Sequence, residues 1–168
     1  MDVVALLLDL YGRIPPLAQE AVDGLAPADL IRQVTPGSNP VGWLVWHVSR
    51  VQDGEISGRF GVDQLWTDRG WAASFGLAPD PANHGYGHSP ADVAAVQPES
   101  AAACVDYLDA VTARTQSFLG TMTSETLDEV IDRNWDPPVT LGVRLISVAD
   151  DGLQHVGQAN YLRGLLGL

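Results

Sequence analysis

Apolar residues recur at every third or fourth position in four stretches of the chain, which predicts four amphipathic helices. In the first stretch, one helix face carries Val4, Leu7, Leu8, Tyr11, Leu17, Ala21 and Leu25. Pro15 and Pro16 interrupt this pattern, because proline removes a backbone hydrogen bond and clashes with the preceding turn. We therefore expect either one kinked helix or two short helices.

The second helix is predicted over residues 40–57, directly after the sequence TPGSNP. Ser38 or Asn39 is expected to accept its first free N–H groups, and Pro40 suits its first turn. One face of this helix carries Trp43, Trp46, His47 and Arg50, with Leu44, Val48 and Val51 beside it. Because the helix begins apolar nearly all round, we expect that end to be buried.

Residues 58–97 are rich in glycine, proline and aromatic residues and show no sustained periodicity. A loop of this length within a compact domain is usually functional or contains short helices of its own. Ser89 followed by Pro90 is expected to open one such turn, and Trp66 and Trp71 to pack the segment over the bundle. We interpret it as a lid-like crossover.

The third helix is predicted over residues 98–119 and ends at Gly120, and the fourth spans residues 141–166 with Thr140 as its cap. The inward face of the fourth helix carries Leu141, Leu145, Val148, Gly152, His155, Ala159, Leu162 and Leu166. No convincing alternating strand is visible. The sequence therefore predicts an all-α four-helix bundle with a long crossover between helices two and three. Antiparallel pairing of helix one with two and of three with four is the economical arrangement.

Composition restricts the function classes. With 168 residues, 46% of them hydrophobic and 18% charged, the chain is expected to form one domain over residues 1–168. A net charge of −12 disfavours nucleic-acid and anionic membrane partners. No apolar run approaches the roughly 20 residues that span a bilayer, and Asp2 and Asp9 occur where a signal peptide needs basic residues, so we expect a cytoplasmic protein.

The single cysteine, Cys104, excludes an internal disulfide, and it is expected to be a small core residue. Any metal site must therefore use histidine and carboxylate ligands. Asp151 and His155 are four residues apart on one helix face, and His47 faces the core from another helix. Two imidazoles and one carboxylate leave coordination positions open, as in catalytic sites, with zinc expected and nickel, iron or manganese as alternatives. The competing interpretation is hydrogen-bonded core histidines beside a solvated Asp150–Asp151 pair.

The segments SNPVGWLVWH, which ends at His47, and DGLQHVGQANYLRG, which begins at Asp151, resemble the two signature segments of the DinB-like (YfiT-like) metalloprotein superfamily. They are most similar to the actinobacterial branch with the N-terminal domain of mycothiol-dependent maleylpyruvate isomerase and the mycothiol S-transferases. The resemblance implies a four-helix bundle, often a homodimer, whose divalent metal is held by His47, Asp151 and His155. At position 151 many members have histidine and the isomerase-like branch has glutamate. The shorter aspartate implies a weaker site, a water-bridged ligand or a changed metal preference.

Further candidates for a substrate contact or for a hydrogen bond to a ligand are Trp43, Arg50, His88, Gln158 and Arg163. Gln158 stands where some relatives carry another histidine, and suits a hydrogen bond to a ligand or a substrate contact. The two arginines are expected either to clamp a substrate carboxylate or to form surface ion pairs. His84 is expected to be exposed to solvent.

The resemblance implies a metal-dependent S-transferase or isomerase that uses a low-molecular-weight thiol such as mycothiol on small electrophiles. A metal-dependent hydrolase of the same fold is the close alternative, because the same site would activate water. A non-catalytic metal- or ligand-binding stress protein is the alternative from another class.

Overall fold

The computed structural model describes residues 2–68 and 70–168. Its helices are α1 (Val3–Gly12), α2 (Ile14–Val22), α3 (Pro27–Leu30), α4 (Val41–Phe60), α5 (Leu65–Asp68), α6 (Trp71–Ser74), α7 (Pro90–Ala95), α8 (Ala101–Leu119), α9 (Ser124–Leu127) and α10 (Leu141–Leu166). Its strands are β1 (Val130–Asp132) and β2 (Val139–Thr140). No helix in this described part of the chain is long and apolar enough to cross a membrane.

The predicted all-α bundle is confirmed. The first predicted helix consists of two short ones, α1 and α2, while α4, α8 and α10 correspond to the second, third and fourth. The crossover segment, residues 61–100, joins α4 to α8 and contains the short helices α5, α6 and α7. Ser89 caps α7 and Thr140 caps α10 as expected, each accepting a hydrogen bond from a backbone N–H in the first turn.

The predicted pairing of the helices is wrong. In the described residues α10 packs chiefly against α4 and α2, and α8 packs against α4, α2 and α1. The two helices expected to pair, α8 and α10, each pack against both α4 and α2 and have little direct contact with each other, so they lie diagonally across the bundle. The physical reason is the connection of about twenty residues between them, which is long enough to carry the chain across the end of the bundle.

That connection also contains a β-hairpin that the sequence did not predict. Strand β1 pairs antiparallel with β2, with Val130 opposite Thr140 and an irregular register beside it. The turn between them includes Asp136, Pro137 and Pro138, which keep a helix from forming there. Strands of three and two residues are too short to produce a visible alternation of apolar and polar positions.

Two details of the helix faces and ends differ from the expectation. Leu17 is exposed, because the chain bends at Arg13 and α2 restarts the inward face at Ile14, Ala18 and Ala21. The first residue of α4 is preceded by Pro40 without any side-chain cap. The hydroxyl of Ser38 instead donates to the carbonyl of Thr35 at 2.9 Å.

Two residues with reactive side chains, Tyr11 and Cys104, are buried in the core of the bundle. Tyr11 of α1 is fully buried and its hydroxyl donates to the carbonyl of Leu145 in α10 at 2.8 Å. Cys104 is fully buried as expected, and burial raises the pKa of its thiol to about 12. The thiol therefore stays protonated at neutral pH and is a core residue rather than a nucleophile.

We expect Gly42→Ala to destabilise the bundle by about 1 to 3 kcal/mol, because an added Cβ would lie 2.8 Å from the carbonyl oxygen of Leu30. The matched control is Gly58→Ala in the same helix, where a Cβ meets nothing within 4 Å. This control should gain about 0.5 to 1 kcal/mol from helix propensity. Urea unfolding measures the free energy of unfolding of both variants. Equal stability of Gly42→Ala and Gly58→Ala would contradict the close approach at Gly42.

Candidate metal centre

The structure brings His47 of α4 together with Asp151 and His155 of α10. One potential ligand atom from each of the three lies within 4.8 Å of the other two. The Nε2 atom of His47 is 3.9 Å from Asp151 Oδ2, and the Nε2 atom of His155 is 3.4 Å from Asp151 Oδ1. We call these three residues the ligand cluster. It spans α4 and α10, the pair of helices with the most extensive packing.

The ring of His47 is held in one orientation. Its Nδ1–H donates to the backbone carbonyl of His84 in the crossover segment, and the indole of Trp43 stacks on the ring with centroids 4.8 Å apart. A carbonyl oxygen can only accept, so the proton resides on Nδ1 and Nε2 presents its lone pair towards Asp151. Burial, with 5% of the residue exposed, lowers the pKa of His47 below its ordinary value.

The ring of His155 is likewise oriented by a hydrogen bond at Nδ1. Its Nδ1 is 2.9 Å from the side-chain oxygen of Gln158, which leaves Nε2 facing Asp151. Its hydrogen bond with Asp151 raises the pKa of His155 above the ordinary value. The ring is half-buried, so His155 is not on the fully inward face of α10 that the sequence predicted. The neighbouring residue Val156 is buried in the core at this level of the helix. His155 thus lies at the edge of the core, with part of its ring exposed.

Asp151 supplies the observation that tests whether a cation fits. Its Oδ2 atom is buried and has no hydrogen-bond partner among the described residues. A buried carboxylate oxygen without a partner is costly. The Nε2 atom of His47 is 3.9 Å from this oxygen, and the Nε2 atom of His155 is 3.4 Å from the other oxygen of the same carboxylate. A divalent cation between these groups would satisfy all three, because neutral imidazole and carboxylate are its usual ligands. The residues present therefore fit a metal ion.

Gly85 allows the crossover segment to lie directly on His47. Its φ is +95°, and a Cβ there would lie 2.6 Å from His47 Nδ1 and 2.9 Å from Trp43 Cζ2. No residue with a side chain fits this position without moving the loop, and the loop supplies the carbonyl that His47 binds. Gly85 belongs to the His84–His88 tract singled out in the sequence, although the interaction there uses the backbone of His84 and leaves its ring exposed.

His88, the last residue of the His84–His88 tract, is held by hydrogen bonds to Trp43 and Asn83. Its Nδ1 accepts a hydrogen bond from the indole N–H of Trp43 at 3.2 Å, and its Nε2–H donates to Asn83 at 2.8 Å. Burial lowers the pKa of His88, which keeps the ring neutral. Because both of its nitrogens are bound to the protein, His88 positions Trp43 rather than joining the ligand cluster.

Arg50 is not the surface ion-pair residue that was expected as one alternative, because it is fully buried. Its guanidinium donates to the carbonyls of Pro81 and Asn83 and to the side chain of Gln64, at 2.8–3.1 Å. It also lies 3.6 Å from Asp53 and over the ring of Trp66. Arg50 therefore fixes the crossover segment to α4 from within, and a substrate contact for it stays a prediction.

Asp53 is a structural anchor that the sequence analysis missed. Its carboxylate accepts hydrogen bonds from the backbone N–H groups of Leu65 and Trp66 and from the hydroxyl of Tyr107, at 2.8–3.1 Å. Burial raises the pKa of Tyr107, which keeps its hydroxyl a donor. The only signal in the sequence was a second ionisable residue three positions after Arg50 on an apolar helix.

The remaining candidates lie apart from the ligand cluster. Arg163 donates to the carbonyls of Ala21 and Asp23 at the end of α2, so it joins α10 to α2 instead of forming an ion pair. Trp66 is fully buried and Trp71 partly buried, and both pack the crossover segment against Tyr107 of α8. The expected packing of this tryptophan pair is confirmed.

Among the described residues, three cavities that open onto the ligand cluster stand out. The first, of about 450 Å³, is lined by His47 and Asp151 together with polar groups such as Gln64 and Glu55. The second, of about 470 Å³, reaches Asp151 from the hairpin side. The third, of about 260 Å³, lies against His47 and His155 beneath Gly85. The ligand cluster is therefore accessible to small molecules from more than one direction.

Known proteins resemble the chain over nearly its whole length. The family model for mycothiol S-transferases matches residues 17–167. The crystal structure of a conserved protein from Enterococcus faecalis is 35% identical, covers 100% of this chain and 99% of that one, and superposes with a TM-score of 0.91. No curated protein sequence matches the chain.

We expect Gly85→Ala to displace the loop from His47, while Gly87→Ala does not. Both glycines have a left-handed φ, so each substitution costs about 1 to 2 kcal/mol for the backbone. Only a Cβ at position 85 meets His47 and Trp43, whereas one at 87 meets nothing within 4 Å. The downfield Nδ1–H proton resonance of His47 should disappear in Gly85→Ala and persist in Gly87→Ala. Its persistence in both would contradict the contact.

In the metal-free protein, we expect His155 to titrate above the ordinary histidine pKa and His47 below it, as measured by NMR of the ring protons. The raised pKa of His155 contributes stability below the unfolded pKa, which is lost as pH rises through the folded pKa. The lowered pKa of His47 contributes stability above the unfolded pKa, which is lost as pH falls through the folded pKa. Titration of the two rings in the reverse order would contradict this geometry.

Proposed function

Because the chain belongs to the mycothiol S-transferase family, we propose that it transfers mycothiol, a low-molecular-weight thiol, to small electrophiles at a divalent metal. His47, Asp151 and His155 would hold the ion. The observation that carries this proposal is the buried, unpartnered Oδ2 of Asp151 beside two imidazoles that both turn their Nε2 atoms towards this carboxylate. Zinc is the ion we expect, with nickel, iron or manganese as alternatives.

A divalent ion bound there would act as a Lewis acid that lowers the pKa of a thiol at an open coordination position. The chain needs no cysteine nucleophile of its own, which agrees with the buried, protonated thiol of Cys104. With a chloro-substituted electrophile, the thiol sulfur forms a bond to carbon, chloride leaves with the electron pair, and the thiol proton passes to solvent.

The residues around the ligand cluster contribute orientation and exclusion of water. The carbonyl of His84 and the side chain of Gln158 hold the two imidazoles as neutral Nε2 ligands. The stacked indole of Trp43 covers one face of His47. These contacts preorganise the ligands before substrate arrives, and preorganised ligands lose little free energy to rearrangement when substrate binds.

The accessibility of the cluster favours a catalytic over a structural ion. Structural metal sites are closed by four protein ligands, whereas Asp151 and His155 are only partly buried and face cavities. The bundle core is a cluster of apolar side chains that does not include these residues. We therefore expect chelation to remove activity and to leave the fold intact.

We expect Asp151→Asn to lower metal affinity by more than about 100-fold, because loss of a ligand's hydrogen-bond partner alone costs about 10- to 100-fold. The matched control is Asp150→Asn, the exposed neighbour whose carboxylate binds Gln154 on the same helix. Elemental analysis of untagged protein measures the metal. Formation of the thioether from mycothiol and 1-chloro-2,4-dinitrobenzene measures transfer. The transfer rate and the metal content should both fall in Asp151→Asn, and neither should fall in Asp150→Asn.

Three outcomes would contradict the proposal. Stoichiometric metal in Asp151→Asn would exclude this residue as a ligand. Metal with substrate hydrolysis but without thiol transfer would favour the hydrolase alternative. Unfolding of the wild type by chelator, followed by circular dichroism, would indicate a structural ion in a non-catalytic protein. The homodimer, and the lack of nucleic-acid and membrane partners, stay predictions.

A further inference from the structure

The hairpin and α10 enclose a cavity that the sequence analysis did not foresee. This hairpin cavity has a volume of about 470 Å³ and borders Asp151 of the ligand cluster. Its apolar and aromatic lining residues are Val51, Tyr86, Trp135, Val139, Val143 and Val148. It shares Val51 and Tyr86 with the first cavity, so the two meet beside Asp151. A molecule bound in it would lie next to a thiol held at the ligand cluster.

Two aromatic side chains on its wall are unusually exposed. Trp135 at the turn of the hairpin is 64% exposed, and Tyr86 of the crossover segment is 88% exposed. Large aromatic surfaces left in water are stabilised when a ligand covers them, and rings favour stacking with another flat π-system. Trp135 and Tyr86 belong to different segments of the chain, yet both face the same cavity. The arrangement suits a flat apolar ligand.

The charges around the hairpin cavity discriminate against anions. Among its described lining residues Arg144 is the cation, and its guanidinium is already 2.9 Å from Glu55 and 3.4 Å from Asp132. An anionic ligand would therefore meet carboxylates without gaining a free cation, whereas an uncharged ligand incurs no such repulsion.

We propose that the hairpin cavity is the electrophile subsite, that it selects uncharged aromatic electrophiles, and that Trp135 determines this selectivity by contact with the substrate ring. The inference rests on the proposed function, since it assigns the second substrate of the same centre. Trp135 contacts substrate without contacting the ligand cluster. Its substitution should therefore change the preference among electrophiles and leave the metal content unchanged.

Binding is tested without chemistry by isothermal titration of the purified protein with 1,3-dinitrobenzene, an uncharged analogue that carries no leaving group. Trp135→Ala should weaken binding about tenfold, which corresponds to loss of one aromatic contact. The matched control is Tyr161→Ala, since Tyr161 is 68% exposed on α10 and lies outside the hairpin cavity. 3,5-Dinitrobenzoate, the anionic probe, should bind the wild type at least tenfold more weakly than 1,3-dinitrobenzene. If Trp135→Ala and Tyr161→Ala bind 1,3-dinitrobenzene equally well, or if the wild type binds 3,5-dinitrobenzoate more tightly than 1,3-dinitrobenzene, the assignment is overturned.

Transfer kinetics supply the second readout. In Trp135→Ala, kcat/KM with mycothiol should fall about tenfold for 1-chloro-2,4-dinitrobenzene and stay within twofold for iodoacetamide, which has no ring. An equal loss for both electrophiles overturns the selectivity role. If the protein binds no metal and transfers no thiol, the proposed function itself fails. If it transfers thiol while Trp135→Ala binds 1,3-dinitrobenzene as tightly as the wild type, only the subsite fails, so the two failures are distinguishable.

Discussion

A guanidinium with no exposed surface must find compensation for its charge within the protein, and at Arg50 this requirement organises the candidate site. The compensation comes from Asp53 one helical turn later and from the carbonyls of Pro81 and Asn83 in the crossover segment. His47, three residues before Arg50 on α4, binds the next carbonyl, that of His84. Two side chains one turn apart thus hold two consecutive carbonyls. The long crossover has a defined path over the helix because of these bonds.

The fixed path of the crossover determines the chemistry of His47. The carbonyl of His84 accepts a hydrogen bond from Nδ1, so the proton of the neutral ring is on Nδ1. The unprotonated Nε2 then faces Asp151 on α10. On α10 the amide of Gln158 acts in the same way on His155. Both imidazoles therefore turn Nε2 towards Asp151, although one is oriented by the backbone and the other by a side chain. Loss of either acceptor would free a ring to rotate without altering the bundle.

The parts that could be predicted from the sequence are those with a periodic signal. The α4, α8 and α10 helices follow from apolar spacing, and the meeting of His47 with Asp151 and His155 follows from their faces and from the two resembling segments. The hairpin has too few residues to show alternation. The carbonyls of Asn83 and His84 carry no side-chain signal at all, because every residue has one. Helix pairing failed because it depends on the path of long connections, which apolar spacing does not encode.

The aspartate at position 151 connects the packing of the bundle to the properties of the site. Its short side chain keeps the carboxylate close to the axis of α10, so its distance to His47 is determined by the separation of α4 and α10. A longer glutamate would have one more rotatable bond with which to adapt to that separation, whereas aspartate has little freedom to do so. The coordination geometry offered to an ion is therefore determined by how tightly the two helices pack. Because the hairpin cavity and the first cavity both border Asp151, the same interhelical distance would also control how closely two substrates bound as proposed approach each other.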